Sequence, residues 1–172
     1  MLDKDGRMHD NHPRVRSQDK QREFVLVSEQ ERNGQQAITI TQRDVRELQL
    51  AKAAIRTGIQ VLLEKTENPE GKIDQVIIAG AFGTYIDVTS AVTIGMLPSL
   101  PLNRFSQVGN AAGMGAKLAL ISINKRDEAR AIASKVHYVE LATAPDFQRI
   151  FIQASYIGHY QSQVKKKGEK SN

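Results

Sequence analysis

Val76-Ile-Ile-Ala-Gly-Ala-Phe-Gly-Thr-Tyr-Ile-Asp87 is an apolar run that stops at Ala79, passes through Gly80-Ala81-Phe82-Gly83 and turns polar. A strand that ends in residues with almost no side chain, just before a helix, leaves backbone that another group can approach closely. A second stretch repeats the arrangement: Phe105 to Val108 reads as a strand, Gly109-Asn110 as a turn, and Ala111 to Ser122 as a helix with Asn110 as its N-cap. Ala112, Gly113, Gly115 and Ala116 leave two adjoining sides of that helix nearly bare, which means close packing or the approach of a ligand. Glycine after a strand is often tight packing alone, so both readings stay open. The spacings GxGxxG and GxxxxGK[ST] are absent, which removes support for a dinucleotide fingerprint or a Walker A loop.

Working outward, strands alternate with helices, the pattern of an α/β domain with a mixed sheet flanked by helices. Glu23–Val27 and Ala37–Ile40 read as strands around Asn33-Gly34, a hairpin signal because both residues accept positive φ. Thr41 to about Lys65 is the strongest helix pattern, opened by Thr41 with Asp44 three residues on. Gln75–Ala79 reads as a strand and Val88–Ile94 as a short helix with Asp87 as N-cap. A helix over Asp127–Lys135, a strand over Val136–Leu141 and an amphipathic helix over Pro145–Tyr156 complete the series. The expected organisation is a polar lead-in over residues 1–21, the α/β unit over 22–158 and a basic disordered tail over 159–172.

On the long helix, Leu48, Ala51, Ile55, Ile59 and Leu62 share one stripe of roughly 80°, the face expected to pack on a sheet. Ala53, Thr57, Gln60 and Glu64 are expected in solvent. Lys52 leans on the stripe's edge. It either snorkels to water or turns its ammonium into a cleft, to meet a phosphate or carboxylate. Asp44 reads as a cap, with a role behind a magnesium-bound water as the competing reading. Gly58 costs about 1 kcal/mol in a helix and points to a close backbone crossing.

Composition narrows the chemistry. The 172 residues suffice for one core. Twenty-four Lys+Arg against 19 Asp+Glu give +5, but Lys165, Lys166, Lys167 and Lys170 carry much of the excess in the tail, leaving a nearly neutral body. With no Trp and no basic-aromatic interleaving, nucleic acid is not an expected partner. Absence of cysteine excludes thiolate metal sites, iron–sulfur clusters and Cys nucleophiles from these residues. No apolar stretch reaches membrane length and no signal-peptide core is visible, so a soluble, cytoplasmic protein without membrane contact is expected. His9 and His12 flank Asp10 in the lead-in and read as solvated, and no metal site is expected.

The blocks Ile38–Leu63, Val76–Asp87, Ala91–Pro98, Val108–Leu120 and Tyr138–Ala142 resemble, in that order, the carboxy-terminal region of the reductive activators of corrinoid proteins. The resemblance implies a ribonuclease-H-like half of an actin-like ATPase, with Gly80, Ala81, Phe82 and Gly83 as the adenosine motif of an ATP site. Gly109 and Asn110 would shape the adjacent wall, and Lys52 would be a cleft residue. Phe82 would lie against adenine or plug the cleft floor. The resemblance further implies that Mg2+ and the phosphate loop belong to another half, upstream of Met1, so that the chain reads as a fragment, its activity in isolation uncertain. It implies that a [2Fe–2S] ferredoxin module, absent here, supplies electrons, and that the partner is the corrinoid protein of a methyltransferase system. The competing reading is a non-enzymatic interaction or homodimerisation module with a decayed nucleotide pocket, whose bare glycine faces are packing surfaces. A small-molecule kinase lacks an identifiable substrate carboxylate.

Overall fold

A computed structural model describes residues 1–18 and 21–161. Five strands and six helices run in the order β1 (Val15–Gln18), β2 (Gln21–Val27), β3 (Ile38–Thr41), α1 (Gln42–Lys65), β4 (Val76–Ala79), α2 (Phe82–Tyr85), α3 (Val88–Thr93), β5 (Phe105–Val108), α4 (Ala111–Ile121), α5 (Ile123–Ala133) and α6 (Phe147–Ser155). The strands fall into two sheets rather than one. β1-β2-β3 is antiparallel, with Phe24 opposite both Val15 and Ile40, and β4-β5 is parallel, with Val76 opposite Phe105 and Ala79 opposite Val108.

The residues read as a polar lead-in are partly structured. Leu2 bridges Met8, Met8 is fully buried, and β1 pairs along β2. That strand has one apolar residue, so only its pairing makes it. Asn33 and Gly34 both have positive φ, but they close a longer loop between β2 and β3 instead of a two-residue turn.

α1 starts where the sequence places it. The Thr41 hydroxyl receives the Asp44 amide at 3.2 Å, and Asp44 Oδ2 accepts from the Thr41 amide and hydroxyl at 2.8 Å each, a reciprocal capping box. Those bonds hold the Asp44 carboxyl below its ordinary range, the backbone donor contributing most. Asp44 is therefore a cap.

Which side of α1 is buried reverses the expectation. Leu48, Ile55 and Leu62 are 44, 37 and 48% exposed, whereas Val45, Lys52, Ala53, Arg56, Thr57, Gln60 and Val61 are buried. The cause is α6, which lays Ile150 and Ala154 (each 1% exposed) against α1, with Phe147 and Phe151 stacked at 5.9 Å beside them. The segment after α6 then covers the polar part of the same face. Gln49 Nε2 donates to the Ser155 carbonyl at 2.9 Å, and Arg56 lies 4.6 Å from the centre of the Tyr160 ring. Tyr160, assigned to the tail from sequence, is thus packed and donates its hydroxyl to Gln153. The remainder of the expected tail, from residue 162, lies outside the described residues.

A separate small core joins Ala91, Met96 and Leu97 to Ile59, Ile78, Ile86 and Phe105, seating α3 beneath the parallel pair. Asp87 caps α3 by accepting the Ser90 amide at 2.7 Å. Residues 136–140 form no strand: the alternation is present, but none of the described strands lies beside them to pair. Gly58 meets the Leu141 side chain at ordinary contact, 3.6 Å from where a Cβ would stand, so no backbone crossing explains it. Among the described residues no helix is long and apolar enough to cross a membrane.

Candidate functional site

The parallel register of β4 and β5 brings both glycine turns to the same end of the sheet. They are bonded directly: the Gly80 amide donates to the Gly109 carbonyl at 2.7 Å. Asn110 caps α4 by accepting the Gly113 amide at 2.8 Å. The fold places the two turns side by side, and the sequence does not show that their glycines do different work.

Gly80 has φ +78°, a conformation glycine adopts without penalty, and among the described residues a Cβ built there meets nothing within 4 Å. Gly109 is open except for Thr84 Oγ1 at 3.6 Å, and Gly115, two residues past Gly113 on α4, borders open space. Gly83 is the opposite case. Its Cβ would stand 2.3 Å from the Ile78 carbonyl oxygen and 2.8 Å from that of Val108, so glycine lets α2 sit directly on the ends of β4 and β5. At Gly113 the Asn110 side chain folds over the position, 2.5 Å from where a Cβ would be, so a larger residue there would displace the cap. Ala81 is exposed between the two kinds of glycine. Phe82 opens α2, and its side chain lies outside the described ones.

Lys52 is not gathered with the turns. Its side chain is 1% exposed, and its ammonium donates to the Tyr156 carbonyl beneath the segment that follows α6. Burial, then the neighbouring Arg56 charge, pushes its pKa down to about 8. Arg56 is paired with Glu70, whose other oxygen accepts the Ser99 amide at 2.6 Å. Sequence reasoning missed Thr84, which borders Gly109 from α2, and Gln107, whose amide donates to the Ile86 carbonyl at 2.9 Å and fixes the chain leaving α2. A four-residue helix carries no periodic signal that would have revealed either. Among the described residues no group of three or more His, Cys, Asp or Glu is placed to hold a metal ion.

An α/β unit with two parallel strands ending in bonded glycine turns and a long capped helix agrees with the actin-like ATPase class to which comparison with known proteins assigns the chain. The family profile described as the C-terminal domain of RACo, the ASKHA domain, matches residues 1–167, and the chain belongs to that family. It is 41% identical over 138 residues to the corrinoid activation enzyme RamQ of Eubacterium limosum, covering 80% of this chain and 23% of that protein. It is 26% identical over 117 residues to the [Co(II) methylated amine-specific corrinoid protein] reductase of Methanosarcina barkeri, covering 67% of this chain and 22% of the relative. A solved reductive activator for corrinoid, iron-sulfur protein superposes with a TM-score of 0.79 at 39% identity, over 93% of this chain and 26% of that one. The chain thus spans about a quarter of the length of these relatives.

Proposed function

We propose that the joined turns of β4 and β5 are the adenosine-side wall of an ATP site, and that this domain, within a longer protein, couples ATP to the reductive activation of a corrinoid protein. The observation that carries the reading is the open backbone at Gly80, bonded to the nearly bare turn at Gly109. Space free of the described side chains beside two strand ends suits a flat base and its ribose. Ala81 and Asn110 flank that space, and Phe82 enters α2 at its edge. Mg2+ and the triphosphate would be held with residues outside this chain, and electrons would come from a [2Fe–2S] module outside it. ATP shifts a conformational equilibrium only as far as its affinity differs between the two states. The corrinoid partner is inferred from the activities for which the relatives are named. The buried position of Lys52 supports support of the fold, rather than contact with nucleotide.

Gly109→Val tests the site. Position 109 lacks the positive φ that would strain a substitution at Gly80, and among the described residues its only near neighbour is Thr84 Oγ1. Isothermal titration with ATP should show at least about tenfold weaker binding, the loss that accompanies about 1.4 kcal/mol. A folded variant with unchanged affinity overturns the reading.

The exposed apolar stripe of α1 favours a second reading, an interaction or dimerisation surface with no nucleotide in the turns. A tight dimer by light scattering, with no response to ATP, selects it.

A further inference from the structure

We infer that the cavity at the carboxy-terminal end of α1 is a binding site for an organic ammonium group carried on an aliphatic body. The cavity measures about 530 Å³ and lies between the last turn of α1, residues 139–146 and α6, with its own set of lining residues distinct from the glycine turns. Its floor is apolar: Val61 and Ile150 are buried and Val139 is half-buried. Around that floor stand Glu64, Glu140 and Asp146, with Lys65 the one basic residue of the lining among the described residues.

Acidic groups outnumber basic ones in this lining, three to one, with Arg149 beside Asp146. Glu64 accepts the neutral Gln60 amide at 2.9 Å, and Glu140 accepts the Tyr138 hydroxyl at 2.7 Å, so both bonds leave the carboxylate charge in place. Asp146 accepts from Arg149 Nε at 3.0 Å. The carboxy-terminal end of α1 adds the negative pole of a helix dipole to the same mouth. Two groups around the rim register this field. Arg149 is held more basic than usual by the bond to Asp146, with Glu64 contributing. Tyr160 is raised first by burial and next by the Glu64 charge.

An apolar floor beneath a negative rim suits a ligand with the reverse pattern. A neutral ligand leaves the rim's field unused, and an anion is repelled by it. A bare inorganic cation gains nothing from Val61 and Ile150. A primary ammonium on an alkyl chain satisfies both parts, burying methylenes while its N–H groups donate to Glu64 and Glu140. The cavity also absorbs the Tyr138–Ala142 block, which the glycine-turn reading leaves without a role.

The test uses the full chain and n-hexylammonium chloride, followed through the methyl resonances of Val61 and Ile150. Both should shift saturably, and raising the salt should weaken binding because the rim is open to solvent. The exposed substitutions Glu64→Gln and Glu140→Gln together should weaken it about tenfold. n-Hexanol, which has the same body without the charge, should bind at least about tenfold more weakly. A parallel titration with the tripeptide acetyl-Leu-Lys-Leu-amide distinguishes the source: tighter binding of the tripeptide assigns a lysyl side chain of a polypeptide, and tighter binding of hexylammonium assigns a free amine. The inference is overturned if neither probe moves these methyls, if hexanol equals hexylammonium, or if the double variant binds as the parent does.

Discussion

Gly83→Ala and Gly115→Ala add the same methyl group to glycines on two helices, α2 and α4, and the structure predicts opposite outcomes. At Gly83 the new Cβ would stand 2.3 Å from the Ile78 carbonyl and 2.8 Å from the Val108 carbonyl, both backbone atoms, with the Ile78 carbonyl carbon at 3.0 Å. Neither oxygen can rotate away as a side chain would, so α2 must lift off the strand ends or β4 and β5 must part. Overpacking of this kind costs about 1–3 kcal/mol, and the involvement of backbone places Gly83→Ala toward the upper end. At Gly115 nothing lies within 4 Å, and the position is inside α4, where Ala is favoured over Gly by about 0.5–1 kcal/mol. The two variants should therefore differ by roughly 2–4 kcal/mol. Urea unfolding followed by far-ultraviolet circular dichroism measures both. A Gly83→Ala protein as stable as the parent would refute the claim that α2 is seated on the strand ends, and with it the division of labour among the glycines.

Lys52 makes stability depend on alkali. Its folded pKa is about 8 against an ordinary 10.5, so between those values the unfolded chain holds the proton more firmly. Stability should rise with pH across that window, by up to about 3 kcal/mol, and Lys52→Met should abolish the rise; a parallel slope in the variant would assign it to other groups. Removing the cap oxygen with Thr41→Ala should cost about 1 kcal/mol by the same unfolding assay, and no measurable loss would mean that the capping box is redundant with the β3 pairing that precedes it.

Local signals carried much of this architecture. The parallel pair was legible because two apolar runs each stop at glycine, and α1, α3 and α4 because Thr41, Asp87 and Asn110 cap them. What the sequence withheld depends on partners remote along the chain. Leu48, Ile55 and Leu62 form the better apolar stripe, yet α6 and the segment to Tyr160 cover the other side, where Lys52 and Arg56 lie. Periodicity tells that a helix has a favoured face and not which element reaches it. Val136–Leu141 alternates as a strand does, but pairing needs a neighbour that the fold does not supply there. At the candidate site the glycine positions were visible, whereas the distinction between Gly80, bordered by space, and Gly83, bordered by carbonyls, exists only once β5 stands beside β4.

Gly95 has φ +77°, and a Cβ there would stand 1.9 Å from the Gly158 carbonyl oxygen; Gly158 itself has φ +110°. Two glycines meeting backbone to backbone act as a detent for the chain that leaves α6. Sliding that segment by one residue would force Ile157 or His159 into the φ of +110° that Gly158 holds, a conformation side-chain-bearing residues rarely adopt, so the crossing sets the alignment of everything from Ser155 to Tyr160 along α1.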